Sequence, residues 1–176
     1  FKNKRILITG NTGFVGSNVS IALKFIGSEI LGYSLKKNDK RYLSNNAEYK
    51  KKIKTIYDDI INIDKNKNKI KKFKPQILIH LASQPIVSES YKQAKRNYET
   101  NVMGTVKLLE LVKELKYIKN VVIFTSDKVY KNFEKNELSE KSPLGGDDPY
   151  SASKSSQDLI SNSYKISFFK SNKNIF

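Results

Sequence analysis

A tyrosine and a lysine four residues apart are the side chains in this sequence best suited to acid–base chemistry. Tyr150 and Lys154 follow Pro149, a common first residue of helices, so both are expected on one side of a helix. An ammonium group close to a phenol stabilises the phenolate. Tyr150 is thereby predicted to remove a hydroxyl proton while hydride leaves the same carbon. Because this pair is frequent by chance, its meaning depends on the neighbouring motifs.

A second polar cluster, Thr125-Ser126-Asp127-Lys128, follows an apolar segment that is predicted to be a strand. Ligands of parallel α/β folds bind at the carboxyl ends of the strands, so Ser126 is placed to hydrogen-bond a substrate hydroxyl. Asp127 and Lys128 put an acid and an amine side by side, which suits a second proton transfer. The alternative is an exposed ion pair that contributes little. Their position at a strand end favours the functional interpretation.

Three glycines, Gly10, Gly13 and Gly16, lie between the first predicted strand and the first predicted helix. Glycine lets the backbone turn tightly and approach a diphosphate, which the free N–H groups at the helix start then bind. The spacing is G-x-x-G-x-x-G, and not the commoner G-x-G-x-x-G. Although a glycine-rich turn is also a common structural necessity, the strand before it and the helix after it favour a phosphate site.

The spacing does not decide between NAD and NADP. Residues 33–35, at the end of the second predicted strand, include no carboxylate, although NAD-binding folds usually place one there for the ribose. Asp39 lies further along, in a predicted loop, and Lys36 and Lys37 suit a 2′-phosphate. After the third predicted strand, residues 58–60 (Asp-Asp-Ile) are suited either to bind an adenine amino group or to cap a helix.

Two further polar residues, His80 and Asn101, occur near predicted strand ends or helices. His80 begins the segment His80-Leu-Ala-Ser-Gln-Pro85, whose small residues suit packing against a cofactor. We interpret His80 itself as structural, because nothing nearby supplies a catalytic triad. Asn101 lies on a helix that should back the site. It is expected either to orient Lys154 or its water, or to be a buried polar residue satisfied locally.

These motifs lie on segments that alternate between strand and helix patterns. The predicted strands are 5–9, 29–35, 53–57, 76–81 and 120–125. The predicted helices are 13–25, a short helix capped by Asp64, 97–115 as the longest, and 149 to about 164. Residues 36–52 are lysine-rich and are predicted to be a surface excursion. This order predicts an α/β fold with a doubly wound parallel sheet.

Composition excludes several other classes of protein. The 176 residues fit one domain, and the absence of cysteine excludes disulfides and Cys-ligated metal sites. One histidine cannot form a His cluster, so no metal site is predicted. The net charge of +16 comes mostly from scattered lysines, with only three arginines, which argues against nucleic-acid binding. Without an apolar run of membrane-spanning length, a cytoplasmic enzyme is expected.

Taken together, the motifs resemble those of the extended short-chain dehydrogenase/reductase family. The matching pieces are TGNTGFVG (residues 9–16), HLASQP (80–85), NVMGT (101–105) and YSASK (150–154). Within the family, TSDKVY (125–130) and PLGGDDPYSASK (143–154) are most similar to the CDP-glucose 4,6-dehydratases. Two positions depart from the pattern: Asp58 replaces a usual glycine, and Val15 replaces a frequent lysine.

The resemblance implies an NAD-binding Rossmann fold that dehydrates a nucleotide-linked sugar through an internal hydride cycle. It implies catalytic roles for Ser126, Asp127, Lys128, Tyr150 and Lys154. It also implies a full-length homodimer or homotetramer, and a C-terminal substrate-binding portion beyond residues 1–176. The residues expected to contact NAD are Gly10, Thr12, Gly13, Phe14, Val15, Gly16, Asp59, Ile60, Leu81, Ala82, Ser83, Gln84, Asn101, Thr125, Tyr150 and Lys154.

Overall fold

Five short, β-branched-rich segments form the strands of one parallel sheet in the described part of the chain. The computed structural model describes residues 1–36, 42–131 and 137–169. The strands are Arg5–Thr9 (β1), Glu29–Ser34 (β2), Lys54–Tyr57 (β3), Ile77–His80 (β4) and Asn120–Ile123 (β5). Their order is β3-β2-β1-β4-β5, with every pair parallel. This confirms the predicted doubly wound α/β architecture.

Seven α-helices connect and cover the described strands. They are Phe14–Phe25 (α1), Ala47–Lys52 (α2), Lys67–Phe73 (α3), Val87–Lys92 (α4), Ala94–Tyr98 (α5), Gly104–Glu114 (α6) and Pro149–Phe168 (α7). Shorter helical turns are the 3₁₀ segments Leu43–Asn45, Ile60–Asn66 and Asp127–Val129 and the π-helical turn Glu99–Met103. Among the helices just named, none combines the length and the apolar character needed to cross a bilayer.

The central strands are buried on both faces, as expected where helices cover both sides of a parallel sheet. In β1, Ile6 and Ile8 pack on one side with Leu23 of α1. Leu7 packs on the other side with Leu108 of α6. The alternation of β1 side chains therefore supplies two separate cores, one on each face of the sheet.

The chain crosses the sheet between β3 and β4, and this crossing locates the site. In the sheet β1 lies between β2 and β4, with Thr9 opposite Tyr33 on one side and His80 on the other. The connection after β1 leads to β2 on one side of it, whereas the connection after β4 leads to β5 on the other side. A crevice therefore opens at their carboxyl ends, which is where folds of this kind bind ligands.

The lysine-rich stretch 36–52 is only partly the surface excursion that we predicted. It contains α2, and Tyr49 of that helix is 2% exposed. The Tyr49 hydroxyl donates to the Asn11 backbone oxygen at 2.7 Å and accepts from the Asn11 side-chain amide at 3.0 Å. This long-range pair satisfies the phenol, so the helix packs inward. Of the lysines considered for a 2′-phosphate, Lys36 is exposed, and Lys37 lies outside the described residues, as does Asp39.

Two helix predictions need correction. Asp64 does not cap a helix start; Asp59 does, since its carboxylate accepts from the Ile61 N–H at 3.2 Å and the chain turns into a 3₁₀ helix there. The segment 97–115 is not one regular helix, because the π-helical turn separates α5 from α6, and α7 is the longest α-helix described. Gly104 follows that turn, where an added Cβ would lie 2.7 Å from Ile60.

Candidate active site

A groove of about 600 Å³ opens at the carboxyl ends of the strands. The glycine turn forms one wall, and the segment after β4 forms another. The start of α7 and the residues after β5 close the far end. The predicted residues that line it are Gly10, Gly13, Phe14, Val15, Gly16, Asp59, Ile60, Leu81, Ala82, Ser83, Gln84, Thr125, Tyr150 and Lys154. The two halves of the proposed site, glycine turn and Tyr/Lys pair, therefore share one groove.

The glycine turn is packed too tightly for side chains at two of its glycines. Gly10 has φ +73°, and a Cβ there would lie 2.6 Å from the Ala82 backbone nitrogen. A Cβ on Gly16 would overlap the Gly10 carbonyl oxygen. Gly13 is the N-cap residue of helix α1, which has no side-chain cap, and the first residues of the helix line the groove. The positive end of a twelve-residue helix is thus open to an anion.

Thr12 does not line the groove, although we expected it to contact a cofactor. Its hydroxyl shares a 2.7 Å hydrogen bond with the Ser34 hydroxyl and donates to the Leu35 carbonyl at 2.9 Å. The side chain is 1% exposed. Thr12 therefore joins the glycine turn to the end of β2, and it shapes the groove without being part of its surface.

Helix α7 presents Tyr150 and Lys154 to the groove because of how it begins. Asp148 caps the helix, and one of its carboxylate oxygens accepts from the N–H groups of Tyr150 (2.9 Å) and Ser151 (3.0 Å). Pro149 occupies the first turn, where its missing N–H costs nothing. Both functional side chains are largely buried, with Tyr150 8% and Lys154 3% exposed, and both line the groove.

The Lys154 ammonium is held by two neutral oxygen acceptors. Its Nζ donates to the Phe124 carbonyl at 3.0 Å and to Gln157 Oε1 at 2.9 Å. Burial lowers the pKa of Lys154 to about 8, because desolvation disfavours the charged form. The bond to Phe124 ties α7 to the end of β5, directly before Thr125. Lys154 thus links the helix to the strand end at which the predicted substrate contacts begin.

The residues Ser126, Asp127 and Lys128 form a turn after β5, and they are not among the residues that line the groove. The Ser126 hydroxyl donates to the Asp127 carboxylate at 2.9 Å and accepts from the Lys128 N–H at 3.2 Å. Asp127 is exposed. These three residues therefore follow the groove wall at Thr125, and their predicted catalytic roles remain predictions.

The positive charge of Lys128 acts on Asp148, the residue that caps α7. Burial acts to raise the pKa of Asp148, but hydrogen bonds from Ser151 and Tyr150 and the positive charge of Lys128 lower it overall. Asp148 is thereby kept ionised at the position where it caps the helix. The strand tip and the start of α7 are electrostatically coupled through this pair.

Asn101 lies behind the groove and is not among the residues that line it, and its predicted contact with the cofactor remains a prediction. It is fully buried in the π-helical turn. Its Oδ1 accepts from the Gln84 N–H at 2.8 Å, and its amide donates to the Gln84 carbonyl and the Ser153 hydroxyl. The alternative of a locally satisfied buried residue is the one the structure shows. Asn101 fixes the segment after β4, and it makes no hydrogen bond with Lys154.

The two aspartates after β3 differ in their partners. Asp59 lines the groove and forms an ion pair with Arg96. Asp58 also lines the groove, but its carboxylate accepts hydrogen bonds from the side chains of Asn62 (3.0 Å) and Asn66 (2.8 Å). The hydrogen bond from Asn62 is the main cause of the lowered pKa of Asp58. Of the two alternatives, Asp59 shows the capping role, and its contact with an adenine amino group remains a prediction.

Sequence reasoning missed several groove residues, among them Arg96, Tyr42 and Phe124. Arg96 lies in a charged segment and Tyr42 in the lysine-rich stretch. Phe124 lies at the end of a predicted strand, where an apolar residue is expected to belong to the core. Nothing in their local sequence distinguishes them, because only the sheet order brings them to the same edge. No group of three His, Cys, Asp or Glu side chains suited to a metal ion occurs within residues 1–36, 42–131 and 137–169.

The sheet order, the glycine turn and the Tyr150/Lys154 pair together define a Rossmann domain of the extended short-chain dehydrogenase/reductase type. The model of the family described as GDP-mannose 4,6 dehydratase matches residues 7–176, and the chain belongs to this family. This assignment confirms the resemblance stated from the motifs.

Two curated relatives illustrate the similarity. The chain is 42% identical over 170 residues to the CDP-glucose 4,6-dehydratase of Salmonella typhimurium, covering 96% of this chain and 47% of that protein. It is 35% identical over 181 residues to the dTDP-D-glucose 4,6-dehydratase of Dictyostelium discoideum, covering 94% and 41%. The chain therefore spans about half the length of the curated relatives that it matches.

Solved structures show the same fold. The dTDP-glucose 4,6-dehydratase of Bacillus anthracis in complex with NAD aligns with a TM-score of 0.76 at 28% identity, covering 98% of this chain and 53% of that one. The UDP-glucose 4-epimerase of Brucella ovis in complex with NAD aligns with a TM-score of 0.81 at 21% identity, covering 94% and 49%. The second comparison supports the fold alone.

Proposed function

We propose that this chain is the NAD-binding part of a nucleotide-sugar 4,6-dehydratase that converts CDP-glucose to CDP-4-keto-6-deoxyglucose. The observation that carries the proposal is the shared groove. Tyr150 and Lys154 line it together with Thr125 and the glycine turn. A base and a phosphate-binding turn are thus placed to act on one bound cofactor and one substrate. By analogy with the relatives, the complete enzyme is expected to be a homodimer or homotetramer.

The groove suits NAD on two grounds within this structure. The uncapped start of α1 offers free N–H groups to a diphosphate. The groove extends from that helix to Asp59 and Ile60 on one side and to Tyr150 on the other. NAD is the cofactor in the solved structure of the Bacillus anthracis relative. NAD held in this groove would supply the hydride acceptor for oxidation at the sugar C4 and the hydride donor for reduction at C6.

The side chains of this chain divide the proton transfers between them. The buried Lys154 ammonium stabilises Tyr150 as the phenolate, which takes the proton of the C4 hydroxyl and becomes a neutral phenol. Ser126 orients that hydroxyl. The 4-ketone acidifies the C5 proton, so water can be lost across C5 and C6. Lys128 assists by taking the C5 proton, and Asp127 acts as the acid that protonates the C6 hydroxyl, which leaves as water.

The Asp127–Lys128 pair favours dehydration over epimerisation. A 4-epimerase needs only the C4 redox chemistry, which Tyr150 and Lys154 supply. Loss of water needs an additional acid near C6, and Asp127 is exposed at the strand tip where it can meet a substrate. The CDP base is supported by the higher identity to the CDP-glucose enzyme, 42%, than to the dTDP-D-glucose enzyme, 35%.

The test is turnover by the full-length protein with CDP-, dTDP- and UDP-glucose in parallel. The 4-keto product is followed by its absorbance in alkali, and mass spectrometry shows whether C6 has lost its oxygen. We expect the CDP sugar to be the preferred substrate and its product to be dehydrated. A 4-keto or epimerised product that retains the C6 oxygen would reject the dehydratase assignment. Retention of NAD with no turnover of any of the three sugars would indicate a non-catalytic binding module.

A matched variant separates the two halves of the chemistry. Asp127→Asn removes the proposed acid and leaves Tyr150 and Lys154 in place. We expect it to slow elimination more than C4 oxidation, so that NADH accumulates in the first turnover. The control is Asp147→Asn, which changes an exposed carboxylate outside the groove lining. Equal loss of both steps in Asp127→Asn would contradict the proposed division of roles.

A further inference from the structure

We infer that Gln157 is a positioning residue that fixes the Lys154 ammonium from the interior, as the first member of a buried chain of hydrogen bonds that ends at the glycine turn. The inference rests on the proposed role of Lys154 beside Tyr150. Gln157 lies three residues after Lys154, one helical turn along α7, and is 1% exposed. Its Oε1 accepts from Lys154 Nζ at 2.9 Å.

This chain of hydrogen bonds continues through three further side chains. Gln157 Nε2 donates to Thr105 Oγ1 at 2.9 Å, and Thr105 Oγ1 lies 3.1 Å from His80 Nε2. The other ring nitrogen, His80 Nδ1, lies 2.6 Å from Thr9 Oγ1. Thr9 directly precedes Gly10, and Thr105, His80 and Thr9 are all fully buried. The chain of hydrogen bonds therefore runs beneath the groove, from α7 through α6 and β4 to β1.

The positions of the protons follow from donor and acceptor capacities. Thr105 has one hydroxyl proton, and it donates to the Asn101 carbonyl at 2.7 Å. Its lone pairs then accept from Gln157 and from His80, so His80 must carry its proton on Nε2. His80 Nδ1 is left as an acceptor, and Thr9 donates to it. Thr9 Oγ1 in turn accepts from the backbone N–H groups of Leu81 and Ala82, each at 3.3 Å.

This assignment gives Gln157 one orientation only. Flipping its amide would point an NH₂ group at the Lys154 ammonium and an oxygen at Thr105, which has no proton left to donate. Gln157 Oε1 is therefore locked toward Lys154. A neutral His80 is required at the centre, and burial, followed by the charge of Lys154, lowers the pKa of His80 to about 3. A neutral imidazole beside the buried ammonium avoids repulsion between like charges.

The direct test is the titration of Lys154 in the full-length protein, followed by NMR of its labelled side chain without any turnover. Gln157→Leu removes the acceptor, and Gln157→Glu replaces it with a carboxylate. We expect the titration to move in opposite directions, lower for leucine and higher for glutamate, each by about one pH unit. The matched control is Ser156→Ala, because that hydroxyl donates to the Ala152 carbonyl of the same helix and belongs to no part of the hydrogen-bond chain described above.

His80 of β4, whose pKa the charge of Lys154 lowers, and Tyr150, which lines the same groove one helical turn earlier, are unchanged in these variants. A role for Gln157 in packing alone predicts the same titration in all four proteins, and that result would overturn the inference. Shifts of both variants in the same direction would overturn it as well. Loss of turnover on the three nucleotide sugars would refute the proposed function and leave this titration pattern intact, so the two failures are distinguishable.

Discussion

Replacing Gly10, the first glycine of the turn, should destabilise the protein much more than replacing Gly13, the second. At Gly10, φ is +73°, a backbone conformation that costs an alanine about 1–2 kcal/mol. The new methyl carbon would also lie 2.6 Å from the backbone of Leu81 and Ala82, and such overpacking costs about 1–3 kcal/mol more. We therefore expect Gly10→Ala to lower the free energy of unfolding by about 3 kcal/mol.

Gly13→Ala is the matched control within the same turn. Gly13 has φ −73°, which alanine adopts readily, and its Cβ would approach only the Gly10 carbonyl, at 3.3 Å. We expect a loss of stability below about 1 kcal/mol. Because Gly13 lines the groove, NAD binding should nevertheless weaken. Urea unfolding without cofactor measures both stabilities. Equal unfolding midpoints for the two variants would refute the packing argument for the turn.

Two further predictions concern buried polar groups. Burial, with Lys154 as a second cause, lowers the pKa of His80 from 6.5 to about 3, so the unfolded chain binds a proton that the native chain excludes. The free energy of unfolding should therefore decrease as the pH is lowered between these two values, by up to about 1.4 kcal/mol per pH unit. In urea titrations, His80→Asn should make this decrease smaller. Tyr49→Phe leaves the Asn11 carbonyl without its donor and should cost about 1–3 kcal/mol. Tyr57→Phe, at a side chain that is 48% exposed, should cost almost nothing, and similar losses in both would contradict the argument.

The sequence was sufficient to predict the order and type of the main elements. Buried strands such as β1 and β4 are short apolar runs, and their alternation with helical patterns predicts a parallel sheet. Pro149 and the spacing of Tyr150 and Lys154 correctly indicated the start of α7. These features are local, because the residues that specify them lie within one element.

What the sequence did not reveal depends on contacts between distant segments. Helix α2 was missed because Tyr49 is buried through its bonds to Asn11, which lies 38 positions earlier. The π-helical turn was missed because Asn101 departs from regular helix geometry where it holds Gln84. In the site, Thr12 and Asn101 match the motifs yet bond to neighbouring segments behind the groove. Arg96 lines the groove and pairs with Asp59, a residue distant from it in the sequence.

The turnover of Tyr150→Phe in the full-length protein tests the central claim most directly. This change removes one hydroxyl from the groove and leaves Lys154, the glycine turn and the cap at Asp148 unchanged. We predict that formation of the 4-keto sugar falls about 10²- to 10⁴-fold, while the variant binds NAD as the unchanged protein does. Turnover close to that of the unchanged protein would contradict the assignment of Tyr150 as the base.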